Sequence, residues 1–522
     1  MPCRQSRFTF LAKILAALGL IVGADWLVTD GHIGSWLGGL AIAWALILAI
    51  VRPALRRGPA LIAWASAIVF ALVMVNQPGL LAWVLFWVAL SIATLLPRTA
   101  GFDDAWRWAI RLAAHAATGP FSPLFDLPRL FRPRPHRGRL TARSLAAMLA
   151  LPIAMSALFV ALFASANPLI ARAFADIRLP SIGEVAFWLF ALAIVWPSLR
   201  PRSWATRIAT MMPEAEVSLP GASLTSVLIS LALFNTVFAI QNGLDLAFLW
   251  SGAALPAGVS LANYAHKGAY PLIVTALLAG VFVLATMKPG TATAASPAIR
   301  RLVVLWVAQN LLLVASSILR TCDYIAVYML TAWRIAALAW MLLVALGLVL
   351  ICWRMLTGRS ARWLINWNAL AAALVLTASS IVDLDAVAAE WNVNHAKEVG
   401  GNGVPLDLCG LNFLRGSALL PLIELEQRPL DPGFRDRVRS VRLQIMGGNL
   451  DWQTSLVSQQ ANWRTWTGRN SIRLEAARRL LGPHPVQPSP IPQGATRDCD
   501  GSIDLPTPPS PPIPPLTKAP AP

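Results

Sequence analysis

The sequence predicts an all-α protein, a polytopic transmembrane helix bundle of about eleven spans, followed by a small helical extracytoplasmic domain and a disordered Pro-rich tail. Three observations carry this. Of 522 residues, 57% are hydrophobic and only 13% charged, about half the charge of a soluble chain. Apolar runs of membrane-spanning length, roughly 20 residues, recur as far as Asp383. The basic excess is confined to the same region: up to Asp383 there are 29 basic and 12 acidic residues, net +17, and beyond it 14 and 13, net +1. That is the positive-inside pattern. It argues against a nucleic-acid surface, because the Arg residues sit in short connections between apolar runs.

The spans are expected at 8–28, 33–51, 60–76, 79–96, 145–165, 183–199, 223–241, 269–287, 302–319, 334–353 and 363–383. The third and fourth form a tight hairpin around Asn76-Gln77-Pro78-Gly79. One alternate set of connections holds 24 basic residues, among them Lys13, Arg52, Arg98 and Arg200. The other holds five: Arg172, Arg178, Lys267, Arg320 and Arg334. The richer side is cytoplasmic, so the N-terminus is expected inside and the chain after Asp383 outside, in the periplasm of a bacterium. The first run resembles a signal peptide, but Lys13 interrupts it and no cleavage site follows, so it reads as an uncleaved helix.

The stretch 97–144 is the longest inner connection. Phe102, Trp106, Ile110 and Ala113 recur at helical spacing beside Arg107 and Arg111, which predicts an interfacial amphipathic helix. The basic connector after it, with Pro133 and Pro135, cannot continue as helix. It suits contact with anionic membrane lipids, or else a cytoplasmic partner. Gly19 with Gly23, and Gly39 with Ala43, are spaced for helix packing.

Residues 384–482 balance acids and bases and read as the small helical domain. Helices are expected over Asp407–Leu425, interrupted by Gly410 and Gly416, and over Pro432–Met446 and Trp452–Leu481. The tail 483–522 has 14 prolines in 40 positions, the composition of a disordered, polyproline-rich segment, or of an arm that docks a protein partner. Of the five cysteines, Cys322, Cys409 and Cys499 fall on the outer side. Cys409 and Cys499 either pair as a disulfide or stay reduced. No zinc spacing, P-loop, GxGxxG, HExxH or GxSxG occurs, so no metal and no cofactor is expected.

The four tyrosines stand out against 22 tryptophans. Tyr264, Tyr270, Tyr324 and Tyr328 all lie at or near the outer ends of spans eight to ten. Beside them are Asp245, Trp250, His266, Lys267, Arg320, Asp323 and Arg334. Asn235, Gln241, Gln309 and Asn310 lie within the apolar runs themselves. Polar groups at membrane depth are costly unless paired. The set reads either as an aromatic belt with interhelical hydrogen bonds or as one outward-facing polar pocket. Asp25 and Asp30 occupy a first outer connection too short to build a transferase site.

Four segments then carry a resemblance. They are Asp245-Leu246-Ala247-Phe248-Leu249-Trp250, Asn263-Tyr264-Ala265-His266-Lys267-Gly268-Ala269-Tyr270, Tyr328-Met329-Leu330-Thr331-Ala332-Trp333-Arg334, and Trp391-Asn392-Val393-Asn394 before Leu406-Asp407-Leu408. Over roughly residues 220–425 the chain resembles a family of bacterial multi-spanning inner-membrane proteins filed as a domain of unknown function. Phe248 stands where that pattern reads Tyr, His266 for Arg, Ala269 for Phe and Met329 for Gly. The resemblance implies a polytopic membrane protein and supplies neither substrate nor catalytic residues. The expected role is therefore a non-enzymatic sensor, scaffold or accessory subunit. A transporter of a small or lipidic solute comes second, with Gln241-Asn242-Gly243 and Gln309-Asn310 marking hydrated helix segments, and a periplasm-facing transferase third.

Overall fold

The computed structural model describes residues 5–28, 33–99, 101–128, 180–202, 223–251, 291–401, 403–447 and 455–505, with scattered positions at 150–162, 204–208 and 274–286. Among these it is almost wholly helical, and eight helices are long and apolar enough to cross a membrane. This is an all-α polytopic bundle. The expected spans at 145–165 and 269–287, the connector 129–139 and the tail beyond Leu505 fall largely or wholly outside the described residues. The chain divides into two units, Met1–Glu214 and Ala215–Pro522.

The first unit holds α1 (Gln5–Val28), α2 (Trp36–Val51), α3 (Gly58–Asn76), α4 (Leu80–Leu95), α5 (Ala105–Thr118), α6 (Ser122–Asp126) and α7 (Ile182–Leu199). Pro78 and the extended Gly79 separate α3 from α4, as a proline that cannot continue a helix requires. The helices pack through small residues, with Ala41, Ala45, Ala67, Ala71 and Ala93 fully buried around Leu48, Met74 and Phe86. Such residues let backbones approach where lipid offers no hydrophobic contrast. The closest approach is at Gly38, where a Cβ would lie 2.3 Å from the Val75 amide nitrogen. The packing register is therefore one residue off the expected Gly39–Ala43 pair. Among the described residues, a Cβ at Gly19 or Gly39 would meet nothing within 4 Å, and one at Gly23 would meet only Leu40.

The amphipathic stretch becomes α5, capped by Asp104, whose side chain accepts from the Arg107 amide at 2.8 Å. Phe102 and Trp106 are exposed as an interfacial helix needs, yet the buried face carries Trp108, Arg111 and His115. Arg111 donates to both oxygens of Asp103, at 2.6 and 2.7 Å. The protein-facing stripe is thus mixed rather than apolar.

The second unit begins with α8 (Leu224–Asp245), which passes through a wider π-helical turn over Leu246–Trp250. Then come α9 (Pro297–Tyr328), α10 (Ala332–Thr357) and α11 (Ala361–Ile381). Val303, Trp306 and Val307 of α9 pack against Val227 and Leu231 of α8, and Met341 and Leu348 of α10 join the same core. Contacts between α8 and α9 advance together, from Asn235 with Leu302 to Asp245 with Arg320. The two helices therefore run parallel. At 32 residues α9 is about 48 Å long, against roughly 30 Å of hydrocarbon. It is therefore longer than the apolar layer is thick.

Six more helices follow: α12 (Leu384–His395), α13 (Leu408–Phe413), α14 (Leu419–Glu426), α15 (Pro432–Met446), α16 (Leu456–Ala461) and α17 (Gly468–Leu481). The sequence pattern does not single out α12. The expected 407–425 helix breaks at a short turn over Arg415–Ser417, and the expected 452–481 helix breaks between α16 and α17. Leu408, Leu419, Leu422, Val438, Val441 and Ala477 form the core. The fully buried Arg442 is held by Glu426 at 2.9 Å and by the Val486 carbonyl at 2.7 Å.

The proline-rich segment begins as ordered structure. Asp436 accepts from the Ser489 amide and from Arg497, Arg437 pairs with Asp500, and β1 (Thr496–Arg497) pairs antiparallel with β2 (Ile503–Asp504). Gly501 has φ +80°, and a Cβ there would meet the Arg437 carbonyl at 2.5 Å. Beyond this short ladder, polar side chains of α15 bond to the backbone of the segment at Val486, Ser489 and Asp498. Cys409 of α13 and Cys499 between the strands are joined by a disulfide. Replacing Cys499 with Ala should destabilise this helical unit by about 2–4 kcal/mol, as expected for opening a long loop, measured as a lower denaturation midpoint of the full chain in detergent.

Candidate functional site

The predicted polar residues separate into two groups on α9. The first lies between α8 and α9. Asp245 is buried at 1% exposure. Its Oδ1 accepts from Gln241 Nε2 at 3.1 Å and pairs with Arg320. A buried carboxylate needs such a partner, since an unpaired ion in a low-dielectric site is strongly disfavoured. Trp250 Nε1 donates to Ser316 Oγ at 3.1 Å, tying the π-helical turn to α9.

Below this pair runs a chain of amides whose orientation is forced. Asn235 Nδ2 donates to the carbonyls of Leu231 and Leu302, at 2.8 and 3.1 Å. Its oxygen must therefore accept, and Gln309 Nε2 donates to it at 2.9 Å. Asn242 Nδ2 donates to the Gln309 carbonyl at 3.2 Å. Reversing any of these amides would set oxygen against oxygen. The result is three buried acceptor atoms, Asn242 Oδ1, Gln309 Oε1 and Asp245 Oδ2, with no donor among the described residues.

The second group sits at the end of α9 and the turn into α10. The Tyr324 and Tyr328 rings lie 4.7 Å apart. The Arg334 guanidinium stacks on Tyr324 at 4.4 Å and donates to the carbonyls of Tyr328 and Met329. It caps the helix end rather than pairing with the half-buried Asp323. Arg320 and Tyr328 are eight residues apart on α9, or about 12 Å. The described members of the set form a column along α9. Tyr264, His266, Lys267 and Tyr270 lie outside the described residues.

What the tyrosines mark is a junction that composition does not reveal. Met329 has φ +64° and ψ 171°, a region open to glycine and costing other residues of order 1–3 kcal/mol. This is the position where the resembling pattern reads Gly. The strain is held from both sides. Asn392 of α12 accepts from the Leu330 amide at 2.7 Å and donates to the Leu330 carbonyl at 2.9 Å. The Met329 side chain joins the core of the following helical unit, while Ile325, Leu330 and Ala388 form a small cluster of their own. The turn between two membrane helices is thereby part of the unit that follows α11.

A second tie is Asp383, between α11 and α12. Its Oδ1 caps α12, accepting from the amides of Asp385 and Ala386, both at 3.1 Å. Its Oδ2 accepts from Ser417 at 3.0 Å and pairs with Arg473 and Arg469 of α17. Arg469 also donates to the Ile381 carbonyl, at 2.6 Å. Burial pushes the Asp383 carboxyl up, but Arg473 and the hydrogen bonds outweigh it and hold the group below the usual carboxylate range. An Asp directly after the last apolar run and before Leu-Asp-Ala-Val was the available sequence signal, as a helix cap. Nothing local points to its arginine partners. No group of metal-ligating residues occurs among the described residues.

Two outcomes follow. Asn392→Ala strands the buried amide and carbonyl of Leu330 and should cost about 2–4 kcal/mol, seen as a lower melting temperature in detergent. Asp383 is more acidic folded than unfolded, so its stabilisation is complete above about pH 4 and is lost as pH falls toward the folded value. Acid titration of the full chain should show that loss, and Asp383→Asn should be less stable at neutral pH with a flatter acid limb.

A family model described as a domain of unknown function, DUF4153, matches residues 43–425. No curated protein and no solved structure matches the chain.

Proposed function

We propose that this chain, which belongs to the DUF4153 family, is a non-enzymatic sensor, scaffold or accessory subunit of a bacterial inner membrane. Its N-terminus faces the cytoplasm and its last helical unit the periplasm. The carrying observation is the Asn392 clamp on the strained Met329-Leu330 turn. A partner that shifts the outer unit would move the ends of α9 and α10 with it, because packed cores yield as bodies rather than deform continuously. The disulfide supports the outward assignment, since such bonds persist in oxidising compartments, and the charge asymmetry supports it independently.

A transporter of a small solute is the second reading. Its support is the set of three donor-less acceptors between α8 and α9, which suits a hydrated path. Untargeted metabolite and lipid profiling of a deletion strain separates the two. The sensor or scaffold reading expects no single solute or lipid-linked precursor to build up, and accumulation of one overturns it. For orientation, reporters fused after Trp363 and after Glu390 should report cytoplasm and periplasm respectively. The same side for both would place the helical unit wrongly.

A further inference from the structure

The first unit concentrates cations at one end of its helices. Lys13 lies near the start of α1, Arg52 just after α2 and Arg98 just after α4, while Arg200 and Arg202 follow α7. Arg52 is fixed in place, donating to the carbonyls of Ser198 and Thr94, both at 3.0 Å. Thr94 is one turn before Arg98, so the two guanidiniums share one corner. Lys13 is one helical turn after Phe10, whose ring carries the Arg200 guanidinium at 5.0 Å, and it lies within electrostatic reach of Arg52, Arg98 and Asp126. His115 of α5 completes the wall, its ring 5.8 Å from Trp87. Burial, Arg52 and Arg98 push its imidazole down to about 4, so it is neutral near pH 7.

The nearby acids are committed elsewhere. Asp126 accepts from Trp196 Nε1 at 3.1 Å and lies 3.5 Å from both Arg200 and Arg202. Asp103 and Asp104 serve Arg107 and Arg111. Among the described residues, neither Lys13 nor Arg98 has a hydrogen-bond or ion-pair partner, and Arg52 has only neutral carbonyls. Three cations thus share a corner whose nearby carboxylate, Asp126, is already shared by Trp196, Arg200 and Arg202, an excess of positive charge that costs free energy unless a counter-charge enters. The corner lies toward the ends of apolar helices, where a membrane helix meets the lipid headgroups. Guanidinium groups match phosphate oxygens in geometry and charge.

We propose that Lys13, Arg52 and Arg98 form a binding site for a phosphate group, supplied either by the headgroup of an anionic phospholipid or by free phosphate. The site is independent of the role proposed for the second unit.

The test uses the full chain in a nonionic detergent, with thermal unfolding followed during titration with short-chain phosphatidylglycerol, inorganic phosphate or diacylglycerol. Phosphatidylglycerol or phosphate should raise the melting temperature and diacylglycerol should not. The shift should persist at about 0.3 M salt, where attraction between exposed charges is screened. Arg98→Gln, at an exposed position, and Lys13→Gln should each weaken the phosphate ligand about tenfold, the loss of one charge-assisted contact. Lys13→Arg should restore it, and the exposed neighbour Arg57→Gln should bind as the parent does. Native mass spectrometry decides the source: one phospholipid retained per chain identifies the headgroup, and phosphate binding without retained lipid identifies the free anion. If neither ligand shifts the parent protein, or if both Gln variants bind unchanged, there is no phosphate site.

Discussion

Asp383 stands where the last membrane helix ends and the next helix begins, and its carboxylate serves both. One oxygen caps α12, and the other gathers Ser417, Arg469 and Arg473. Because Arg469 also holds the Ile381 carbonyl, the frayed end of α11 is closed by the same residues that orient α17. Four segments, α11, α12, the 415–417 turn and α17, therefore share one charge. The oily core of the helical unit would be satisfied by many docking angles. A buried carboxylate with every lone pair assigned selects one of them, because any other leaves an ion unpaired. The disulfide and the arginines of α15 then pin the proline-rich segment onto a unit whose orientation is already set.

Inside the membrane the selecting force is different. Water is absent, so hydrogen-bonding groups must be satisfied by protein. The amides between α8 and α9 obey this in one direction only: each NH2 finds a carbonyl, and the leftover oxygens collect along one seam. The seam ends at Asp245 and Arg320, a neutral pair placed as α9 leaves the apolar layer. The order from amides to ion pair follows rising tolerance for charge toward the interface.

Much of this order was legible in the sequence. Span positions came from apolar length, and the nine spans the described residues reach have helices there. Length and polarity are local, and the membrane enforces both. The packing register was misread by one residue, from Gly39 to Gly38, because several small residues in succession give no phase until a neighbour is known. The polar cluster was legible as a list, but the partner each residue takes was not. Arg320 and Arg334 carry the same charge in similar contexts, yet one finds Asp245 across a helix pair and the other finds carbonyls within its own turn. Composition did not reveal that the stretch from Pro483 to Leu505 lies along α15, whose Asp436, Arg437 and Arg442 bond to it. Asn392 stood out only as part of the Trp391–Asn394 segment of the resemblance, and its role was not legible, since its partners are backbone atoms 62 residues away.

Met329 brings these strands together. A residue with a side chain should avoid its backbone conformation, and glycine would remove the strain. Glycine would also empty the place that the Met329 side chain fills in the core of the helical unit. The two terms are of the same order, about 1–3 kcal/mol for the backbone and a similar or larger amount for a buried methionine. The chain keeps the side chain and holds the backbone with Asn392 on one flank and Arg334 on the other. The strain is stored at the one turn where two membrane helices meet the unit beyond them. A relaxed turn could absorb small displacements of that unit in its own torsions. A turn held in a sparsely allowed conformation by three separate contacts has no such slack, so displacement is passed to α9, and along α9 to the Asp245–Arg320 pair about 12 Å away.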